Sequence, residues 1–308
     1  MESKNSNELY SKINYIDSHK SLFLNTKELT EINSFSANDK LSFEKMSEIY
    51  MAIDNNLSQN RKIKNNNEIT LNKGNKIHFN DKNLKTSILD ILKKSDDSDI
   101  YVDDIIDIVE LNLSQKNIKN ISGLEYFLSL ESLSLYSNYI KDLKPLRQLV
   151  NLKKLYLFEN EISDIRPLAV LKKLESLSLS NNQIIDIRPL KNLLNIRNLS
   201  LSNNMIKSLV GLKELISLMY LSLYNNKIKN IDGIEHLSEL TYLSLSNNQI
   251  EDINILCGLS KLEMLFLESN KIVNIEPLKY LRNLNTLEIR SNKISDFSVL
   301  DGSTCSIG

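Results

Sequence analysis

The sequence predicts an α/β solenoid: a right-handed horseshoe of nine 22-residue units, its concave face lined by short parallel strands, with an α-helical cap at the N-terminal end. Three observations predict it. Apolar side chains recur every 22 residues without a slip, an Asn column recurs at the same period, and all four prolines fall in one phase of the repeat. A fixed period of this size marks stacked supersecondary units, none of which can bury its apolar edge alone.

The strands come first. Leu111 to Leu287 forms an unbroken Leu column, and two residues later Leu113 to Leu267 forms a second, closing with Ile289. An Ile column follows from Ile118 to Ile294. Four further columns, beginning at Ile121, Leu124, Phe127 and Leu130, stay apolar to their ends in a chain only 41% apolar. Two Leu separated by one residue share a strand face. Nine parallel strands near 4.8 Å apart give a sheet roughly 40 Å across.

The turn after each strand carries Asn. Asn138, Asn160, Asn182, Asn204, Asn226, Asn248, Asn270 and Asn292 stand between the second Leu and the Ile, with Lys116 in the first unit. LxLxxNxI aims an amide inward, where stacked turns offer backbone groups to bond it, so a structural ladder is expected. Lys116 fits a unit that neighbours a cap. Further on, Gly123, Pro145, Pro167, Pro189, Gly211, Gly233 and Pro277 share a phase, with Ile255 and Val299 as exceptions. Proline fixes φ and lacks an N–H, so this is a bend without a ladder bond. The chain then returns as a short helical or 3₁₀ segment.

These repeats, for example LESLSLSNNQIIDIRPLKNLLN at 174–195 and LTYLSLSNNQIEDINILCGLSK at 240–261, are those of a leucine-rich-repeat solenoid and resemble the 22-residue repeats of the internalins. The segment IHFNDKNLKTSILDILKK at 77–94, followed by IYVDDIIDIVELNLSQKNIKN, resembles the helical cap and first repeat of such bacterial proteins. The likeness covers about residues 77–300. It implies a non-enzymatic protein-interaction module that binds a partner with its concave face. A cytosolic regulatory subunit of protein phosphatase 1 has the same repeat length and stands as an alternative, as does an effector delivered into a host cell.

Four regions follow: an arm rich in Asn, Lys and Ser at 1–76, the cap at 77–110, the repeats at 111–300 and a tail at 301–308. Helical spacing runs through Phe43, Met46, Tyr50, Ile53 and Leu57, and Tyr10–Leu24 is a second helix candidate; Ser58–Lys76 reads as linker. In the cap, Asn80 or Asp81 can N-cap a helix that buries Leu84, Ile88, Ile91 and Leu92. Ser95–Asp99 reads as a solvated acidic turn, without the glycine and closing Glu of a calcium loop. The residues after Leu300 are few, so the ninth strand is expected to offer an open edge that admits self-association through the C-terminal repeat.

Composition removes several function classes. With 38 basic against 39 acidic side chains, no general nucleic-acid binder is expected. No stretch reaches a membrane span, and the start lacks a secretory h-region. A cytoplasmic protein is expected, or one exported without that signal. Two Cys exclude a disulfide framework and a Cys-built zinc finger. Phosphate-loop, zincin and nucleophile-elbow motifs are missing, so no catalytic residue, metal or cofactor is expected. His19, His78 and His236 read as surface or capping residues, and Cys257 as a small apolar packing residue. Cys305 lies in a terminus that fits a prenylation box poorly.

Function is then expected at strand positions alternating with the buried Leu pair. Tyr136, Tyr139, Tyr156 and Phe158 form one aromatic patch; Tyr220, Tyr224, Tyr242, Met264 and Phe266 form another. Between them lie Ser176, Ser178, Ser180, Asn198, Ser200 and Ser202. Tyr and Phe are enriched where proteins dock. Mixed charge nearby, from Glu159 and Glu161 to Glu268, Lys271, Glu288, Arg290 and Lys293, suits a protein partner.

Overall fold

The computed structural model describes residues 74–300 and the pair 306–307. The expected helices at Tyr10–Leu24 and Leu41–Leu57, most of the linker, His19 and Cys305 lie outside the described residues. All that is described belongs to one compact unit, Asn72–Gly308.

The sheet is parallel and follows chain order through ten strands. β1 (Glu110–Asn112), β2 (Ser132–Ser134), β3 (Lys154–Tyr156), β4 (Ser176–Ser178), β5 (Asn198–Ser200), β6 (Tyr220–Ser222), β7 (Tyr242–Ser244), β8 (Met264–Phe266) and β9 (Thr286–Glu288) are the nine expected. Each pairs in a register of 22, Leu111 opposite Leu133 and Leu265 opposite Leu287. The tenth strand, β10 (Ser306–Ile307), is a correction. It pairs with β9, Ser306 opposite Thr286, so the edge of the ninth repeat is occupied by this chain's own backbone.

Behind the strands run 3₁₀ turns, as the proline column predicts. Pro145, Pro167, Pro189 and Pro277 sit at the first positions of Lys144–Gln148, Arg166–Val170, Arg188–Asn192 and Glu276–Tyr280, where a missing N–H costs no bond. Gly123 and Gly233 occupy the same place with φ of 106° and 99°. Repeat five departs from its neighbours: the chain passes Gly211, at φ 118°, in plain turns with no 3₁₀ segment. A 3₁₀ turn takes more room than one strand, so the stack curves with the sheet inside.

The core is one continuous column of Leu and Ile. From Ile118 to Ile275 the seven predicted columns are essentially sealed from solvent, and Phe127 is buried among them. Each such side chain contributes roughly 2 kcal/mol on burial, much of it offset by chain entropy. At the last repeat the seal loosens: Ile294 is half-buried and Phe297 is 49% exposed. Phe297 therefore does not cover the end of the core.

The cap closes the other end. Helix α1 (Lys82–Leu92) is N-capped by Asp81, whose Oδ1 accepts from the Leu84 N–H at 3.1 Å. Its buried face is Leu84, Ser87, Ile88 and Leu89. Ile91 is a correction, 44% exposed on the opposite side, and Leu92 is only half-buried. A short helix α2 (Val102–Ile105) follows, and Lys76 bridges Tyr101 antiparallel. In the acidic turn Asp99 pairs with Lys76 at 2.7 Å.

Candidate functional site on the concave face

Three rows of each turn hold the concave face in place, and only one was read from the sequence. The Asn ladder bonds as expected. Asn204 Nδ2 donates to the carbonyls of Leu179 and Leu201, at 3.0 and 3.1 Å, and its Oδ1 accepts from the Ile184 N–H at 2.9 Å. One amide thus ties its own turn to the preceding repeat. Asn138 reaches back to the Leu113 carbonyl in the same way. The first repeat has no predecessor to bond, which is why Lys116 can stand there, its side chain exposed.

The second row lies immediately before the ladder. Gln115, Ser137, Glu159, Asn181, Asn203, Asn225, Asn247, Ser269 and Ser291 all hold φ between 52° and 59°. Left-handed backbone is costly for residues with a Cβ and least so for Asn. The third row sits three places ahead of each bend. Asn120, Asp142, Asp164, Asp186, Ser208, Asn230, Asp252, Asn274 and Asp296 each accept the backbone N–H two residues on. These Asx and Ser turns set the chain into its return. The legible signal was a small polar acceptor at one phase of all nine repeats.

On this frame the predicted residues divide. Tyr136 and Phe158 follow β2 and β3 and stack with centroids 4.4 Å apart and planes within 6°. Tyr220 and Tyr242 are register partners in β6 and β7, stacked at 4.3 Å, and Phe266 of β8 tilts against Tyr242 at 5.3 Å. These five rings are half-buried, as are Tyr156 and Met264. Tyr139 and Tyr224 stand apart from both stacks, 47% and 40% exposed. Tyr139 lies beyond the turn, with the Lys119 ammonium 6.0 Å from its ring centre.

The floor beneath the second stack is closed: Ser222, Ser244 and Ser246 are buried. Burial, with the Tyr220 phenol beside it, pushes the Tyr242 hydroxyl up to about 12. Charge sits on the rims. Lys153 meets Glu131 at 2.8 Å, Lys141 meets Glu161 at 3.0 Å and Arg290 meets Glu288 at 3.2 Å. Such exposed pairs are screened by solvent and serve register more than strength. His236 lies on a 3₁₀ turn beside Glu235, and His78 is exposed. Cys257 is a further correction: it is exposed on its return segment instead of packed. Its neighbour Leu256 takes the inward position.

The family described as leucine-rich repeats (two copies) matches residues 128–170, 150–192, 172–214, 216–258 and 260–302. Among solved structures, an internalin (inlF) from Listeria monocytogenes is 31% identical with a TM-score of 0.65, covering 75% of this chain and 75% of its own. This chain belongs to the internalin-like leucine-rich-repeat proteins. A second Listeria internalin, internalin C2, is 31% identical with a TM-score of 0.57, covering 74% of this chain and 92% of its own. A leucine-rich-repeat protein of Leptospira interrogans is 29% identical with a TM-score of 0.58, over 65% of this chain and 59% of its own. No curated protein matches the sequence significantly. Internalin-like proteins are generally non-enzymatic and mediate protein–protein interactions. Among the described residues of this one, no helix is long and apolar enough to cross a membrane.

Proposed function

We propose that this internalin-like chain binds a protein partner on its concave face, through the two aromatic clusters. The observation that carries the reading is the pair of ring stacks, Tyr136–Phe158 and Tyr220–Tyr242–Phe266, half-open to solvent on a rigid sheet. The fold does not require them, since repeats four and five close with Ser and Asn at the same positions. Rigid aromatic anchors held by backbone ladders lose little entropy on docking, and docking energy concentrates on such groups. Among the predicted positions, Tyr136, Tyr156, Phe158, Tyr220, Tyr242, Met264 and Phe266 form the contact surface, and Tyr139 and Tyr224 lie at its margins.

The test uses the full chain immobilised beside its Tyr156→Ser/Tyr242→Ser variant, with captured proteins compared by mass spectrometry. A partner retained by the native chain and reduced at least tenfold on the variant supports the reading. Equal retention by both, with circular dichroism confirming that the variant is folded, overturns it.

A further inference from the structure

The two aromatic clusters stand at the two ends of a trough, and its dimensions select what enters it. In the row of Phe158, repeats four and five carry Ser180 and Ser202 before Tyr224 rises in repeat six. In the row of Lys154 they carry Ser176 and Asn198 before Tyr220. In the middle row, Tyr156 is followed by Ser178 and Ser200. The trough is therefore two repeats wide, walled by repeats three and six. Tyr136 and Phe158 come from successive repeats and stack at about the strand spacing, so their ring planes stand across the stacking direction. Tyr136 covers one face of Phe158, and its other face looks into the trough. By the same geometry Tyr242 covers one face of Tyr220 and leaves the other facing repeat five.

Three strand intervals separate repeats three and six by about 14 Å, and Phe158 lies four residues, about 13 Å, further along the strand direction than Tyr220, so the two rings stand diagonally across the trough. A single flat ring, sugar or base, fills about 7 Å between two faces and would leave one wall bare. An α-helix with its side chains is about 10–12 Å across. The floor points the same way. Ser180 and Ser200 bond each other at 2.6 Å, as do Ser202 and Ser222, so these hydroxyls satisfy one another and do not call for a polar ligand. No side chain on the floor of repeats four and five is charged. Charge lies at the edges of the trough: Lys154 on the wall of repeat three, Arg197 with Glu175 where the strands begin, and Glu159 and Glu161 where repeat three leaves its strand. Glu161 is partly answered by Lys141.

We infer that the trough receives one α-helix of the protein partner, its small uncharged face on the Ser floor and its apolar flanks against Phe158 and Tyr220. The rim charges favour a helix antiparallel to the strands, its positive N-terminal end at Glu159 and Glu161 and its C-terminal end at Lys154 and Arg197. The inference rests on the proposed concave-face function and adds the shape and chemistry of what is bound.

Two display libraries of equal size separate the two readings. One varies a single helix of a three-helix-bundle miniprotein at i, i+3, i+4, i+7 and i+11 among Ala, Ser, Leu, Met and Gln; the other varies one loop of a β-sandwich scaffold. Both are selected against the full chain. Helix binders are expected at least tenfold tighter than loop binders, to weaken tenfold or more on Ser178→Lys and on Phe158→Ala, and to be unmoved by Tyr139→Ser. Asn198→Lys, at an exposed position, repeats the floor test where Ser178→Lys perturbs the strand. Helix binders indifferent to both floor changes overturn the inference. Loop binders that win and map to Tyr242 and Phe266 overturn the helix and keep the concave-face reading. Binders from neither library mapping to this face overturn both.

Discussion

A single ladder amide makes four or five hydrogen bonds inside the solenoid, so its removal strands several buried backbone groups together. Asn226 donates to the carbonyls of Leu201 and Leu223, at 3.0 and 3.1 Å, and accepts from the Ile206 N–H at 3.0 Å. Asn226→Ala should cost about 2–3 kcal/mol in a urea titration, the penalty of leaving such groups unpaired. Asn at the preceding place acts through backbone shape instead. Ser269 holds φ at 55°. Ser269→Asn should therefore stabilise by about 0.5 kcal/mol, read as a raised denaturation midpoint at unchanged slope. Asp81 is the third residue with a definite role. Its Oδ2 accepts from the Lys119 and Asn120 N–H groups, at 2.7 and 3.1 Å, and pins the cap to the first repeat. Partial burial works against its charge, but these backbone donors and Leu84 outweigh it and hold the carboxyl below the usual range. A depressed carboxyl contributes stability above the ordinary Asp value, and that stability is lost as pH falls through the folded one. Between pH 6 and pH 3 the native chain should lose more stability than Asp81→Asn, measured by denaturant midpoint at each pH.

At the scale of elements, the bend is where sequence and structure meet most tightly. Proline enters the 3₁₀ turns at a position needing no N–H, as its column implied, and glycine enters where φ turns positive, which the sequence did not show. Gly211 shows why the choice is not free. A Cβ there would stand 2.7 Å from the Ile187 carbonyl oxygen of the neighbouring repeat. At Gly233 the nearest atom would be 3.8 Å away. Gly211→Ala should therefore cost about 2 kcal/mol or more, and Gly233→Ala about 1, the second reporting backbone strain alone. Thermal melts of the two variants check the order. The cap helix was legible in its start, through Asp81, but less so in its buried face. Periodicity admitted Ile91, whereas packing chose Leu89, because the surface that α1 covers lies on one side only.

The described residues form a one-dimensional stack, so stability is unevenly distributed along them. Repeats in the middle are sealed on both sides; repeat nine is not, with Ile294 half-buried and Phe297 exposed. In a stack whose units contact only their neighbours, opening begins at the weaker end. Backbone amides of repeat nine should exchange at least a hundredfold faster than those of repeats four to six, measured by native-state hydrogen exchange. Uniform protection along the chain would contradict this.

Leu and Asn together make up about 30% of the chain, most of the Leu in the core columns and part of the Asn in the ladder. Period, strand phase, core columns and ladder were determined by the sequence alone, because a repeated burial requirement writes itself at a fixed spacing. The same regularity located the concave face and the rings on it. Only the tertiary structure decided how those rings meet. Tyr136 stacks on Phe158 and Tyr220 on Tyr242, whereas Tyr139 and Tyr224 stand aside. It also decided which Asn bend the backbone, that Cys257 turns outward, and that a tenth strand follows the ninth. The ring stacks and the tenth strand depend on contacts between residues 20 or more positions apart, made after each repeat has found its neighbour, and no local pattern carries them.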